Sequence, residues 1–200
     1  MIRRTLGWKS VGHAGTLDPS ATGVLIVLCG DATRRTDEFM QLPKEYVARI
    51  RFGFTTTTDD FEGEVIESRP LEDWPREKII GVLKNYVGTV SQVPPAVSAI
   101  KVAGRRSYRM ARAGQRTPLE PRVVQIHELQ LLSDASPEIT ILLRCSRGTY
   151  VRALARDMGE QLGFGGTLAA LTRTAIGPYR HDHALALNDI FFRRSEFSGK

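Results

Sequence analysis

Cysteine and histidine are scarce in this 200-residue chain, which has two of the first and four of the second. No C-x-x-C pair occurs and the histidines are scattered, so neither a disulfide framework nor a zinc site is indicated, and no metal or cofactor is expected. Cys29 and Cys145 both fall in apolar, strand-like runs, 24–29 and 139–145, and are expected to be buried free thiols in a reducing compartment. No apolar run approaches the roughly 20 residues of a membrane-spanning helix, and no secretory leader is recognised, so a cytoplasmic protein without membrane attachment is expected. The glycine-rich loops that cradle nucleotide phosphates, G-x-x-x-x-G-K-[ST] and G-x-G-x-x-G, are missing as well, which argues against a phosphate-using enzyme.

Acidic charge is in deficit. Twenty-two Asp and Glu stand against 28 Lys and Arg, for a net charge of +6 and an isoelectric point near 9.6. Such a balance steers the molecule toward polyanions such as RNA without naming one. The 42% hydrophobic content is enough for one good core, so a single main domain is expected.

The richest stretch is the run from Val11 to Gly23, where one carboxylate, Asp18, sits among three glycines and several other small residues. It reads as a tight irregular loop that displays Asp18 at a pocket floor. A plainer alternative is that Leu17-Asp18-Pro19 is only a turn, with proline fixing φ. The apolar run Val24–Leu28 that follows predicts a strand buried on both faces. From Tyr46 to Phe52 the chain alternates, with Tyr46, Ala48, Ile50 and Phe52 on one side and Val47, Arg49 and Arg51 on the other, as in a half-exposed strand. Residues 55–63, with four threonines, Asp59, Asp60 and Glu62, read as a surface loop.

Helical periodicity returns at Ile79, Val82, Leu83 and Tyr86 and is expected to end at Gly88. Between Ser91 and Pro121 lie six cations, Lys101, Arg105, Arg106, Arg109, Arg112 and Arg116, with one Glu and no Asp, which makes a basic arm with a short helix from Ser107 to Gly114. A strand over 139–145 then delivers Ser146-Arg147-Gly148-Thr149-Tyr150 to a helix whose apolar stripe is Val151, Leu154, Ala155, Met158 and Leu162, ended by Gly163. Arg152 and Arg156 lie four apart on another face near the helix start, where the macrodipole disfavours cations. That placement calls for carboxylate partners. Leu168 and Leu171 read as helix core by spacing.

The segment from Gly12 to Gly23, GHAGTLDPSATG, resembles the catalytic motif of the bacterial tRNA pseudouridine-55 synthase family. Three further blocks match in the same order: Lys44-Glu45-Tyr46, Pro94 to Lys101, and Ser146 to Asp157. The resemblance implies an α+β catalytic domain, a mixed and largely antiparallel sheet flanked by helices, over residues 1–190. It also implies an inserted basic thumb at about 91–121 and leaves 191–200 as a C-terminal tail. It implies an isomerase that flips the T-loop uridine of tRNA out of its stack and converts it to pseudouridine, as a monomer that requires no protein partner. Carried over residue by residue, Asp18 is the catalytic acid, Arg152 its pairing cation, and Tyr46 the ring that stacks on uracil and handles a proton. His13, Tyr150, Leu171, Lys44 and Lys101 are then substrate-binding. On this basis Arg152→Ala is expected to cut turnover while leaving folding largely intact.

Family members generally begin with a further strand before the region aligned with Arg3, and bacterial relatives often append a small RNA-binding domain. The sequence given carries neither match, so a shortened chain of lower stability is expected. The alternative to catalysis is a non-catalytic RNA-binding or tRNA-remodelling module.

Overall fold

The structure, a computed structural model, describes residues 2–71, 74, 76–98, 101–102, 105–106, 119–192 and 196. Helix α1 (Ile2–Leu6) leads into β1 (Val11–His13), β2 (Thr22–Gly23) and β3 (Val27–Cys29), then a 3-10 turn and α2 (Thr36–Gln41). Strand β4 (Lys44–Phe52), the hairpin β5 (Phe54–Thr56) and β6 (Val65–Ser68), α3 (Arg76–Asn85) and β7 (Gly88–Gln92) follow. Two short strands, β8 (Lys101–Val102) and β9 (Arg105–Arg106), pair inside the basic arm. Then come β10 (Arg122–Ala135), β11 (Glu138–Cys145), α4 (Val151–Leu162), β12 (Gly166–Ile176), β13 (Tyr179–Arg180) and α5 (Leu187–Phe192).

The main sheet runs in the order β13-β12-β4-β11-β10-β7, with all of these neighbours antiparallel, and β2 adds to β12 in parallel. It is the mixed, largely antiparallel α+β sheet the sequence implied. The alternation in β4 holds: Ala48, Ile50 and Phe52 are buried with Ile139, Ile141 and Leu143 of β11. Over that face lie Ile79, Val82 and Leu83 of α3 and the α4 stripe Val151, Leu154, Ala155, Met158 and Leu162. Each such side chain contributes about 1.5–3 kcal/mol by burial, so α4 is fixed against the sheet along its length. Glycines bring it closer still. A Cβ on Gly166 would lie 2.3 Å from the Ala155 carbonyl oxygen, and one on Gly159 2.2 Å from the Gly166 nitrogen.

Several expectations are corrected. Only Val27–Cys29 of the apolar run forms a strand, in a separate two-stranded ribbon with β1, and Leu25 is 42% exposed. The segment cannot be a strand buried on both faces because it crosses from the main sheet, where the Val24 N–H bonds the Arg173 carbonyl, to the ribbon. Cys145 is buried but Cys29 is only half-buried. Gly88 opens β7 instead of capping α3, which ends at Asn85. Leu168 and Leu171 lie on β12, not on a helix. A register shift between Leu168 and Ala170 puts residues three apart on one face, opposite Ile50 and Ala48, and so imitates helical spacing. The expected helix 107–114 lies outside the described residues.

Candidate active site

The loop bearing Asp18 hangs between two fixed ends. Ala14 N–H bonds the Ile26 carbonyl at 3.0 Å, and β2 pairs with β12. Within it Ala21 N–H bonds the Asp18 carbonyl at 3.0 Å, a turn with Pro19 in the second position, where its fixed φ suits the geometry. The plain turn and the displayed acid are therefore both present. Asp18 uses its backbone for the turn, which leaves its carboxylate to face α4.

Arg152 meets it there. Its Nε lies 2.8 Å from Asp18 Oδ2, with the guanidinium side chain 5% exposed and the acid 38% exposed. Nη1 donates to the Thr58 carbonyl at 3.0 Å and Nη2 to the Val97 carbonyl at 3.1 Å, while Asp60 Oδ2 stands 3.6 Å from Nη1. One turn on, Arg156 pairs with Asp59 at 2.9 Å and with Asp157 at 2.8 Å, and donates to the Val93 carbonyl. Burial raises the pKa of both Asp59 and Asp157, against the pull of Arg156. The two arginines of α4 thus gather the 57–60 turn and the root of the basic arm, 93–97.

The expectation of a plain surface loop at 55–63 is overturned, since Asp60 is 6% and Thr56 3% exposed. Buried cations recruit the turn's acids because an unpaired charge in the interior is costly. Sequence reasoning missed Asp59 and Asp60. The signal was there in two unpartnered arginines four apart on a helix and two adjacent acids on a turn.

An open cavity of about 330 Å³ is lined by Asp18, Tyr46, Tyr150, Arg152, Leu171 and Arg173. This lies within the range of about 300–1,000 Å³ that suits a small ligand. Burial pushes the Tyr46 phenol up to about 12, so it is protonated at neutral pH, although the charge of Arg173 opposes the shift. Burial likewise raises Tyr150, which precedes α4 and is held by buried Gln92: Tyr150 N–H donates to Gln92 Oε1 at 3.1 Å, and Gln92 Nε2 donates to the Tyr150 carbonyl at 3.3 Å. Lys44 also lines the cavity, with its ammonium committed to the Leu42 carbonyl at 2.7 Å and the Met40 carbonyl at 2.5 Å. Burial first, then the charge of Arg173, lower its pKa to about 8.

The structure therefore brings Asp18, Tyr46, Arg152, Tyr150, Leu171 and Lys44 around one space. His13 stands outside it, exposed on β1, and Lys101 lies on β8, its side chain outside the described residues. Arg173, which sequence reasoning also missed, is among the largest fully buried side chains.

Residues 3–151 match the family model described as TruB family pseudouridylate synthase (N terminal domain), and residues 152–192 match that of the tRNA pseudouridylate synthase B C-terminal domain. The chain belongs to the TruB pseudouridylate synthase family. As a pseudouridine synthase of that family it is an isomerase. It is 50% identical over 175 residues to tRNA pseudouridine synthase B of Bacteroides fragilis, covering 88% of this chain and 75% of that one. With the protein of the same name from Thermobifida fusca it shares 45% identity, over 94% of this chain and 67% of the relative.

Among solved structures it resembles a chain of a Cbf5-Nop10-Gar1 complex, with a TM-score of 0.73 and 28% identity over 96% of this chain and 48% of the other. A chain of an H/ACA RNP bound to a substrate RNA containing 2'-deoxyuridine matches with a TM-score of 0.70 and 26% identity, over 98% and 49%. The chain thus spans about half the length of those structural neighbours. The two TruB-family models meet at 151/152, where α4 begins, yet β12 beyond that point pairs with β4 before it.

Proposed function

We propose that this chain converts the T-arm uridine at tRNA position 55 to pseudouridine, with Asp18 as the reacting acid. The observation that carries the reading is the contact of Asp18 with a buried Arg152 at the edge of a cavity that also presents the Tyr46 phenol. The isomerisation breaks the bond from the sugar to N1 of uracil and makes one to C5. N1 gains a proton and C5 loses one, so no atom enters from outside. A carboxylate beside a cation can attack as nucleophile or act as base. Tyr46 stacks on the ring and its hydroxyl serves the proton at C5.

The base must leave its stack to reach Asp18. Leu171 then underlies it, Tyr150 flanks it, and Lys44 adds positive charge at the cavity wall. His13 on its exposed strand props the RNA loop at the vacated position, and Lys101 with the rest of the 91–121 arm grips phosphates. The supports are membership of the TruB pseudouridylate synthase family, the +6 net charge and the geometry above. We take residues 1–190 to work as one catalytic unit, monomeric and cytoplasmic, without a cofactor.

The test is incubation of purified chain with unmodified tRNA and carbodiimide mapping of the product. Pseudouridine at position 55 supports the reading, and its loss in Asp18→Asn with tRNA binding retained assigns the acid. An Asp18→Asn variant that loses nothing, or a wild-type chain that binds tRNA without forming product, would make the protein an RNA-binding module instead.

A further inference from the structure

Arg173 is 1% exposed, and no carboxylate pairs with it among the described residues. Its partners are carbonyls: Nε donates to Val24 O at 2.7 Å, Nη2 to Gly15 O at 3.2 Å and Nη1 to Thr16 O at 3.4 Å. Gly15 and Thr16 precede Asp18, and Val24 follows it. One guanidinium therefore ties both arms of the loop that carries the acid. The backbone reinforces this, since Val24 N–H bonds the Arg173 carbonyl at 2.9 Å and Gly23 pairs with Arg173 in the sheet. A Cβ on Gly23, whose φ is +103°, would lie 2.2 Å from that carbonyl oxygen, so the loop is seated directly on β12.

Arg173 also stands opposite Tyr46 across the β12–β4 pairing. Three of its five N–H groups go to the loop.

We propose that Arg173 is a positioning residue for the reaction: it fixes the Asp18 loop through carbonyls on both sides of the acid, without touching substrate. This rests on the proposed function for its kinetic consequence. The geometric part stands apart from it. Lysine keeps the charge but gathers its donors at one point, so it cannot span Gly15, Thr16 and Val24.

The experiment compares Arg173→Lys and Arg173→Met with wild type by single-turnover pseudouridine formation, tRNA affinity, thermal unfolding and amide hydrogen exchange. For folded Arg173→Lys the single-turnover rate is expected to fall roughly 10- to 100-fold, as for a displaced catalytic group, with tRNA affinity changed by less than about threefold and Arg173→Met slower still. Exchange in residues 14–24 should rise while β10 and β11 stay protected. A rate near wild type in folded Arg173→Lys, a loss carried by affinity alone, or unaltered exchange in 14–24 overturns the proposal. Should the wild-type chain make no pseudouridine, the proposed function fails and the exchange result alone decides Arg173. Should both variants fail to fold, hydrogen exchange of the Arg173 Nε–H in wild type decides: slow exchange supports its tie to the Val24 carbonyl, and exchange as fast as in an exposed arginine sinks it.

Discussion

Arg152 Nε lies 2.8 Å from Asp18 Oδ2 yet has no aligned hydrogen-bond acceptor among the described residues, so the two side chains meet as ions and not through a linear N–H···O bond. The other guanidinium nitrogens are held by Thr58 and Val97 carbonyls and approach Asp60. The cation is thus fixed by groups other than the acid it faces. Asp18 keeps its charge compensated while its oxygens stay available to a substrate, an arrangement suited to an acid that must leave its partner to react.

Removing that cation should therefore harm both fold and rate. The sequence expectation that Arg152→Ala spares folding does not survive a side chain 5% exposed, since truncation strands Asp60, 8% exposed, and two carbonyls. Breaking a buried pair in this way costs about 3–5 kcal/mol, enough to lower the unfolding midpoint by many degrees. Arg152→Lys retains charge and should fold, with product formation down about 10²-fold because the ammonium cannot hold three directions at once. Differential scanning calorimetry and the carbodiimide assay separate the two effects, and a stable, inactive Arg152→Ala would contradict the first.

The seat of α4 on β12 offers a second test far from the reacting groups. Gly166→Ala would place a methyl 2.3 Å from the Ala155 carbonyl oxygen, so the helix must lift. Overpacking of this kind costs about 1–3 kcal/mol. Because Arg152 rides on the first turn of the same helix, turnover should fall by more than the folded fraction does. Gly163→Ala gives the comparison: nothing lies within 4 Å of a Cβ there, so its strain at the αL cap should lower stability without shifting Arg152.

Much of this was legible before any coordinates. The alternation of β4, the stripe of α4, the Gly163 end and the need of Arg152 for a carboxylate all follow from period and charge, which act locally. What escaped notice depends on contacts distant in sequence. Asp59 and Asp60 look like solvent-facing acids until α4 lies across them. Arg173 carries no local signal until the Asp18 loop folds over it, and a bulge in β12 disguised Leu168 and Leu171 as helix. Each of these is a tertiary override of a local pattern.

Lys44 gives a pH signature. Its folded pKa of about 8 lies below the ordinary lysine value of 10.5, so the native chain gives up this proton before the unfolded chain does. Between those values the unfolded state binds more protons, and stability from this group rises with pH. Below pH 8 both states are protonated and the penalty of the buried ammonium is fully present. Lys44→Met removes the titration, so wild-type stability relative to the variant should climb from pH 8 to 10.5 in urea unfolding and be flat below. A flat difference throughout would mean that the two carbonyls at Met40 and Leu42 offset the burial.

Tyr46 allows binding and chemistry to be told apart. Its ring is packed against the core and the residue lines the cavity, and burial holds the phenol proton to about pH 12. Tyr46→Phe keeps the ring, so stacking on uracil, worth about 1–3 kcal/mol, and tRNA affinity should persist. The hydroxyl is lost, and with it the group proposed to serve C5, so the rate of product formation should drop about 10²- to 10⁴-fold, the usual share of a general acid or base. Filter binding paired with single-turnover mapping checks the split: weak binding with normal product from the bound fraction would assign Tyr46 to recognition, whereas tight binding without product assigns it to proton transfer.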